Sequence, residues 1–203
     1  MMKRSHRAVP LAAALLVLGG CAGRTQTEPP VSAAEPVREA PSSVVQSPEG
    51  GFSVTFPGPV TEERRVQPTD VGDVTLHTFI AARAQEDTAY YVSYTDFPPA
   101  AVAQVSPRDV VARASQGALE ALGATAISVK PLELEGGFPG QEVGGLSGAR
   151  RLRGRFIMVG PRLYQQLLLH PEGRAPKDAD RFFDSFRLDP GVAGRLVQRA
   201  PGG

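Results

Sequence analysis

Residues 149–170 read ARRLRGRFIMVGPRLYQQLLLH, and this stretch decides the fold. It contains two strand-length segments, Ala149 to Val159 and Arg162 to His170, which Gly160-Pro161 joins. A Gly-Pro pair between two such segments is a turn signal. The stretch therefore predicts a long β-hairpin, whose two strands pair antiparallel.

Further strands are indicated along the chain. Phe52, Val54 and Phe56 alternate with polar residues, which is typical of a strand with one buried face, and Pro57-Gly58-Pro59 ends it. The other predicted strands are 73–81, 89–95, 127–134 with a bend at Pro131, and a segment from Gln141. Most of them follow one another in hairpin order.

Two helices are predicted among these strands. Ser106-Pro107-Arg108-Asp109 is a helix start, since Ser106 can cap, Pro107 suits the first helical position and Asp109 can complete a capping box. An apolar stripe follows, and Gly123 ends the helix. The second helix runs from Pro176 to about Ser185. Because strands outnumber helices, the expected fold class is α+β, a largely antiparallel β-sheet flanked by helices.

Five short motifs spread over the domain carry a resemblance. They are Phe52-Ser-Val-Thr-Phe-Pro-Gly58, Tyr91-Val-Ser-Tyr-Thr-Asp96, Gly137-Phe-Pro-Gly-Gln-Glu142, Arg162-Leu-Tyr-Gln165 and Ala179-Asp-Arg-Phe-Phe-Asp-Ser-Phe186. The chain resembles a bacterial group of uncharacterised extracytoplasmic domains, similar in fold to the photosystem II extrinsic protein PsbP and to DcrB-like lipoproteins. The resemblance implies a PsbP-like α/β/α sandwich that acts by docking to partners, and it carries over no catalytic residue.

The first twenty residues have the layout of a secretory signal. Lys3, Arg4 and Arg7 precede an apolar run from Ala8 to Leu18, and small residues follow. The run is about half of the roughly 20 residues that span a bilayer as a helix. A signal peptide over residues 1–20, cleaved in the mature protein, is therefore expected rather than a permanent transmembrane anchor.

Leu18-Gly19-Gly20-Cys21 resembles the lipobox of bacterial lipoproteins. The resemblance implies cleavage after Gly20, a diacylglyceryl group on the Cys21 thiol and acylation of the new amino group. Cys21 is the single cysteine of the chain, so it can form no disulfide within it. The alternative is a plain secretory signal that happens to contain a cysteine. Since Ala22 rather than Asp follows, the resemblance implies the outer membrane, facing the periplasm, if the source has two membranes.

Three segments are expected in the mature chain: a lipidated, disordered Pro/Ala-rich tether over 21–48, a single globular domain over 50–188 and a flexible tail over 189–203. Signal cleavage removes three of the 22 basic residues and none of the 21 acidic ones. The mature chain keeps 19 basic and 21 acidic residues, so its formal net charge changes from +1 to −2. Such a balance does not suggest nucleic acid as a partner.

The densest charge run contains the candidate binding residues. Arg151, Arg153 and Arg155 alternate along a predicted strand, so their side chains would share one face. Guanidinium groups bind carboxylates and phosphates through paired hydrogen bonds. This arginine row predicts contact with an envelope protein or an anionic cell-wall polymer. The alternative is a solvated strand face paired with nearby acidic residues.

No group of residues predicts catalysis. His77 and His170 lie about ninety positions apart, without the partners that a general base or a metal site needs. Gly145-Leu-Ser-Gly-Ala149 lacks the last glycine of a hydrolase nucleophile elbow, and Gly136-Gly-Phe-Pro-Gly140 lacks the lysine of a phosphate-binding loop, so both are predicted turns. The Tyr90-Tyr91 pair and Tyr94 favour core packing. Neither a cofactor nor a metal is expected.

Two functions remain open on the sequence. The first, which it favours, is a non-catalytic binding or interaction module of the cell envelope, held on the membrane by its N-terminal lipid. The second is an envelope hydrolase or ligand-processing enzyme, whose site is assembled from scattered residues.

Overall fold

The computed structural model describes residues 41–69 and 72–199. The strands are β1 Ser43–Ser47, β2 Phe52–Phe56, β3 Thr61–Thr69, β4 Gly72–Arg83, β5 Thr88–Asp96, β6 Thr125–Leu134, β7 Phe138–Ser147, β8 Arg150–Val159, β9 Arg162–Pro171 and β10 Arg187–Leu188. The helices are α1 Pro99–Val102, α2 Pro107–Ala121, α3 Ala179–Asp184 and α4 Pro190–Gln198, with a 3-10 turn at Ala84–Glu86. Within these residues, no helix is long and apolar enough to cross a bilayer. The predicted signal peptide and Cys21 lie outside them.

The main sheet is built around the predicted hairpin. Its strand order is β3-β4-β5-β9-β8-β7-β6, and neighbouring strands pair antiparallel. β8 and β9 pair from Val159 with Arg162 to Arg150 with Pro171. A Cβ on Gly160, whose φ is +55°, would lie 2.2 Å from the Leu196 carbonyl oxygen, so the turn requires glycine. The predicted hairpin and the largely antiparallel α+β class are confirmed.

One face of the main sheet carries the larger hydrophobic core. A small antiparallel sheet of order β1-β2-β10 packs over this face together with α3 and α4. Phe52 lies near its centre, with ring centroids 5.4 Å from Phe79 and 5.5 Å from Phe186. The other large buried members are Phe56, Tyr90, Tyr94, Ile157, Tyr164, Leu168, Phe182 and Phe183. These side chains remove extensive apolar surface from water, which is the main force holding the layers together.

The opposite face is covered by α2. Ser106 accepts a hydrogen bond from the Asp109 amide at 3.1 Å, as the predicted cap requires. The helix buries Val111 and Leu119, and Val111 packs with Phe156 and Met158 of β8. A helix on this face and α3 and α4 on the other sandwich the sheet.

Both ends of the domain differ from the expectation. β1 lies inside the expected 21–48 tether, because it pairs with β2 and places Val45 against the core. α4 lies inside the expected 189–203 tail, where Asp189 accepts the Val192 amide at 2.8 Å and Leu196 is buried. The expected tether and tail are therefore wrong over Ser43–Ser47 and Pro190–Gln198, which contribute a strand and a helix to the domain.

The edges of the main sheet carry residues that hinder pairing with other chains. β3 was not predicted, because its sequence TEERRVQPT has no apolar alternation, and it is exposed along nearly its whole length. β6 forms the other edge, and its register shift lies between Ala126 and Ser128 rather than at the expected bend, Pro131. Pro68 in β3, Pro131 in β6 and the charges beside them are typical protections of a sheet edge.

Candidate functional site

The arginine row lies on the β8 face that α3 covers. Arg155 Nε donates to Glu142 at 2.8 Å, and Arg153 Nη2 donates to the same carboxylate at 3.3 Å. On the helix side, Arg153 reaches Asp180 at 2.6 Å and Arg155 reaches Asp184 at 3.1 Å. The two guanidinium groups therefore connect β7, β8 and α3 through four ion pairs.

Phe183 completes this contact between α3 and the sheet. The Arg153 Cζ lies 4.4 Å and the Arg155 Cζ 5.1 Å from the centre of its ring, within the range of cation–π attraction. Burial acts to raise the pKa of Glu142, but the hydrogen bonds from Arg155 and Arg153 outweigh it and leave the pKa below its ordinary value. The predicted shared face is present, and its inner two arginines fasten α3 onto the sheet.

The neighbouring arginines have different roles. Arg151 forms a 3.4 Å pair with Glu172, and both side chains are about half exposed. Arg162 lies apart from the row. Its guanidinium donates two hydrogen bonds of 2.6 Å to the Asp96 carboxylate and one of 2.9 Å to the Gly50 carbonyl. The observed contacts of the row fit the alternative of a strand face paired with acidic residues. Binding of an anionic partner by the row stays a prediction.

A second group of cations surrounds a cavity on the other side of α3, which we call the α3 pocket. Its volume is about 400 Å³. The residues lining it are Pro41, Ser42, Thr55, Phe56, Pro57, Arg83, Lys177, Asp178, Arg181 and Phe182. The pocket therefore combines three cations and a single carboxylate with an apolar wall.

Arg83 and Asp178 form the fixed part of the α3 pocket. Arg83 donates to Asp178 at 2.7 Å and to the Pro57 carbonyl at 2.9 Å, and the Tyr90 hydroxyl donates to the same aspartate. Burial acts to lower the pKa of Arg83, but attraction to Asp178 outweighs it, and the net shift is upward. Burial and the hydrogen bond to Asp178 both raise the pKa of Tyr90. This carboxylate is thus already occupied by two donors.

Lys177 and Arg181 form the open part of the pocket. Both side chains are exposed, and neither makes an ion pair with any residue in the described ranges. The Asp178 carboxylate is bound by Arg83 and Tyr90, and it forms no ion pair with Lys177 or Arg181 among the described residues. The geometry leaves two hydrated cations beside a cavity, where an anionic group can be bound without first breaking a salt bridge.

The α3 pocket was missed by sequence reasoning. Arg83 ends β4, whereas Lys177 and Arg181 flank the start and middle of α3, about a hundred positions later. No periodic pattern links positions on different elements, so only the packing of α3 beside β2 and β4 brings these cations together. The sequence signal was three basic residues around Pro176, namely Arg174, Lys177 and Arg181, and ordinary exposed loops carry similar charges.

The two histidines have different surroundings. His77 is buried and stacks on Tyr94 with ring centroids 4.4 Å apart, and its Nδ1 has no hydrogen-bond partner among the described residues. His170 Nδ1 lies 2.8 Å from the Pro171 carbonyl oxygen. In residues 41–69 and 72–199, no cluster of three or more His, Cys, Asp or Glu side chains is arranged to hold a metal ion. Neither histidine lines the α3 pocket.

The two glycine motifs are parts of hairpins. Gly145 lies within β7, and Ser147 Oγ donates to the Leu122 carbonyl at 2.8 Å instead of standing free as a nucleophile. Gly136 and Gly137 form the turn between β6 and β7, with φ values of +94° and +77°. Tyr90 and Tyr94 belong to the core, as predicted. The turns are confirmed at Gly136-Gly137 and at Gly148-Ala149, whereas the remaining residues of both motifs belong to β7.

A further cavity of about 900 Å³ lies between α4 and the β6–β7 turn. Leu134, Phe138, Leu188 and Val197 give it an apolar wall, and Val197 is 41% exposed. Glu133, Glu135 and Arg187 also line this groove, so it combines an apolar wall with charged groups of both signs.

Comparison with known proteins identifies the fold alone. No protein-family profile and no curated protein matches the chain. Among solved structures, it is similar to the solution structure of cyanobacterial PsbP (CyanoP) from Synechocystis sp. PCC 6803, with 15% identity, a TM-score of 0.51, and 79% of this chain and 99% of that chain covered. A protein of unknown function from Pseudomonas aeruginosa, PA94, described as a putative regulator, gives 13% identity, a TM-score of 0.37 and coverages of 80% and 98%. The first likeness confirms the PsbP-like fold that the sequence motifs imply.

Proposed function

We propose that this chain is a membrane-anchored bacterial lipoprotein, and that its domain is a non-catalytic binding module of the cell envelope that takes up an anionic group in the α3 pocket. The lipobox at Leu18-Gly19-Gly20-Cys21 supports the anchoring. On this proposal residues 1–20 are removed, Cys21 carries lipid, and the domain faces the periplasm from the outer membrane if the source has two membranes. Two or more acyl chains hold such a protein stably on its leaflet.

The observation that carries the binding proposal is the pair of exposed, unpaired cations beside the cavity. Lys177 and Arg181 can each donate charge-assisted hydrogen bonds, and because both side chains are exposed, each such bond contributes about 0.2–1 kcal/mol. The hydroxyls of Ser42 and Thr55 lie in the same lining and can donate as well. A phosphate or carboxylate group of an envelope protein or a cell-wall polymer fits this set of donors.

The arginine row is the second surface through which an anionic partner could be bound. Arg151 is exposed enough to contribute at little cost, because its pair with Glu172 is long and solvated. Arg153 and Arg155 would have to give up acidic partners that hold α3 in place. For this reason the α3 pocket is the better supported site.

A phosphocellulose column tests the binding proposal. The purified lipoprotein, in a nonionic detergent, should be retained and should elute at clearly lower salt when Lys177→Gln and Arg181→Gln are combined. The matched control is Arg108→Gln with Arg113→Gln, which removes the same charge from exposed positions on α2, on the opposite face of the sheet. Equal elution of the two double variants would show that the pocket does not bind anions.

Lipidation is tested separately. Cys21→Ala should abolish labelling with radioactive palmitate and should move the protein from the membrane fraction to the soluble fraction, because the thiol that receives the lipid is gone. Ala22→Ser, next to the modified residue, is the control and should leave labelling unchanged. Persistent labelling of the Cys21→Ala protein would contradict the proposed anchor.

A further inference from the structure

The α3 pocket lies where the chain enters the domain. Its lining includes Pro41 and Ser42, which directly precede β1. About 20 residues separate Pro41 from Cys21, and even a fully extended chain of that length spans no more than about 70 Å. On the proposed anchoring, Pro41 is the lining residue that lies nearest to Cys21 along the sequence.

The lining of the pocket is amphipathic. Pro41 is the exposed apolar residue of the lining, and Phe56, Pro57 and Phe182 lie buried behind it. Lys177 and Arg181 are exposed at the opening. A ligand that satisfies both parts has an anionic group beside a short carbon skeleton. A phosphodiester of glycerol has this chemistry, since its phosphate carries one negative charge and its glycerol carbons are only weakly polar.

The size of the pocket distinguishes between anionic ligands. A cavity of about 400 Å³ is near the lower end of the range found for small-molecule sites. It accommodates one head group, whereas a charged polymer needs a row of cations that follows its length. The arginine row on β8 has its inner members engaged with Glu142, Asp180 and Asp184.

We infer that the α3 pocket binds the glycerophosphate head group of an anionic phospholipid in the leaflet that holds the Cys21 lipid. The inference rests on the proposed anion binding and names its ligand. The overall charge of −2 in the mature chain does not oppose it, because Lys177 and Arg181 act on a head group within hydrogen-bond distance. Basic side chains close to an anionic leaflet gain additional attraction from its surface potential. The bound head group would hold the pocket side of the domain toward the membrane.

The mature chain provides its own reporter for this contact. Only two lysines, Lys130 and Lys177, remain after cleavage of the signal. Both are exposed, and Lys130 lies on β6, the edge strand of the main sheet. Reductive methylation with formaldehyde, an uncharged reagent, followed by mass spectrometry, measures the accessibility of each lysine in the intact lipoprotein.

The lipoprotein is reconstituted in vesicles of phosphatidylcholine alone, in vesicles that also contain phosphatidylglycerol, and in phosphatidylcholine vesicles with added soluble glycerol phosphate. We expect methylation of Lys177 to slow about threefold with phosphatidylglycerol, as for a site that is about two-thirds occupied, and Lys130 to stay unchanged. Arg181→Gln should remove most of this protection, whereas Arg113→Gln should not.

Each other outcome overturns the inference. Protection of Lys177 by soluble glycerol phosphate but not by phosphatidylglycerol keeps the anion site and excludes the membrane as its source. Equal protection of both lysines indicates that the domain lies on the vesicle without using the pocket. If Lys177 is not protected under any condition, the lipid ligand is wrong, and the phosphocellulose experiment then decides whether the anion site itself also fails.

Discussion

Glu142 provides the sharpest test of the ion pairs that Arg153 and Arg155 form between β7 and β8. Its carboxylate accepts hydrogen bonds from Arg155 at 2.8 Å and from Arg153 at 3.3 Å, and 28% of the side chain is exposed. Glu142→Gln keeps the shape and one oxygen acceptor but removes the charge. Hydrogen bonds between charged groups contribute about 1.5–3 kcal/mol, and the partial exposure and the remaining acceptor reduce the loss. We expect the free energy of unfolding to fall by about 1–2 kcal/mol.

Urea unfolding followed by far-UV circular dichroism measures this change, since the chain has no tryptophan for fluorescence. Glu172→Gln is the matched control. This substitution removes a carboxylate that pairs with Arg151, the outer member of the arginine row, at 3.4 Å. Both side chains of that pair are about half exposed. The control should cost less than about 0.5 kcal/mol.

The pH dependence of unfolding independently checks that the ionised form of Glu142 stabilises the fold. The two arginines hold the pKa of Glu142 below its ordinary value of about 4.3. The stabilisation is therefore complete above that ordinary value and is lost as the pH falls through the lower pKa of the folded state. The difference between wild type and Glu142→Gln should shrink on acidification. If Glu142→Gln costs no more than Glu172→Gln at pH 7, the carboxylate that Arg153 and Arg155 share on β7 does not contribute to stability.

Two further predictions concern the core. Phe182 is 1% exposed, and its ring centroid lies 5.3 Å from that of Phe56 and 5.2 Å from that of Tyr90. Phe182→Ala should therefore lower the free energy of unfolding in urea by about 3–5 kcal/mol. The control Val44→Ala, at a 66% exposed position, should lower it by less than about 0.5 kcal/mol. Similar losses in the two variants would contradict the described packing. Burial raises the pKa of Tyr94 to about 12, above the value of about 10 in an unfolded chain, so stability present below pH 10 is lost as the pH rises toward 12. Tyr94→Phe should lose less stability over that interval, and an unchanged loss would show that Tyr94 does not contribute.

Strands with their own apolar alternation could be predicted from the sequence. β2 was predicted over Phe52–Phe56, and the β8–β9 hairpin was predicted to within one residue at its ends. In both cases alternate residues face a core, so the pattern is visible without knowing the neighbours. β1 and β3 have no such pattern, because pairing with a stronger neighbouring strand stabilises them.

Only part of the candidate site could be predicted from the sequence. Alternation places Arg151, Arg153 and Arg155 on one face, as the structure confirms. The acids that engage them come from β7 and α3, and their meeting depends on how those elements pack. The same holds for the α3 pocket, since Arg83 and Lys177 are brought together only by the position of α3 beside the sheet.

The sequence by itself determined the properties that depend on neighbouring residues: the antiparallel hairpins, the α2 cap at Ser106 and, as a prediction still to be tested, the lipobox at Cys21. Each is a short-range pattern, because a turn, a helix end or a peptidase recognises consecutive residues. Only the tertiary structure decided which cations are neutralised and which remain open. Electrostatic pairing depends on distances of a few ångströms between groups far apart in the chain, and those distances exist only after the layers have packed.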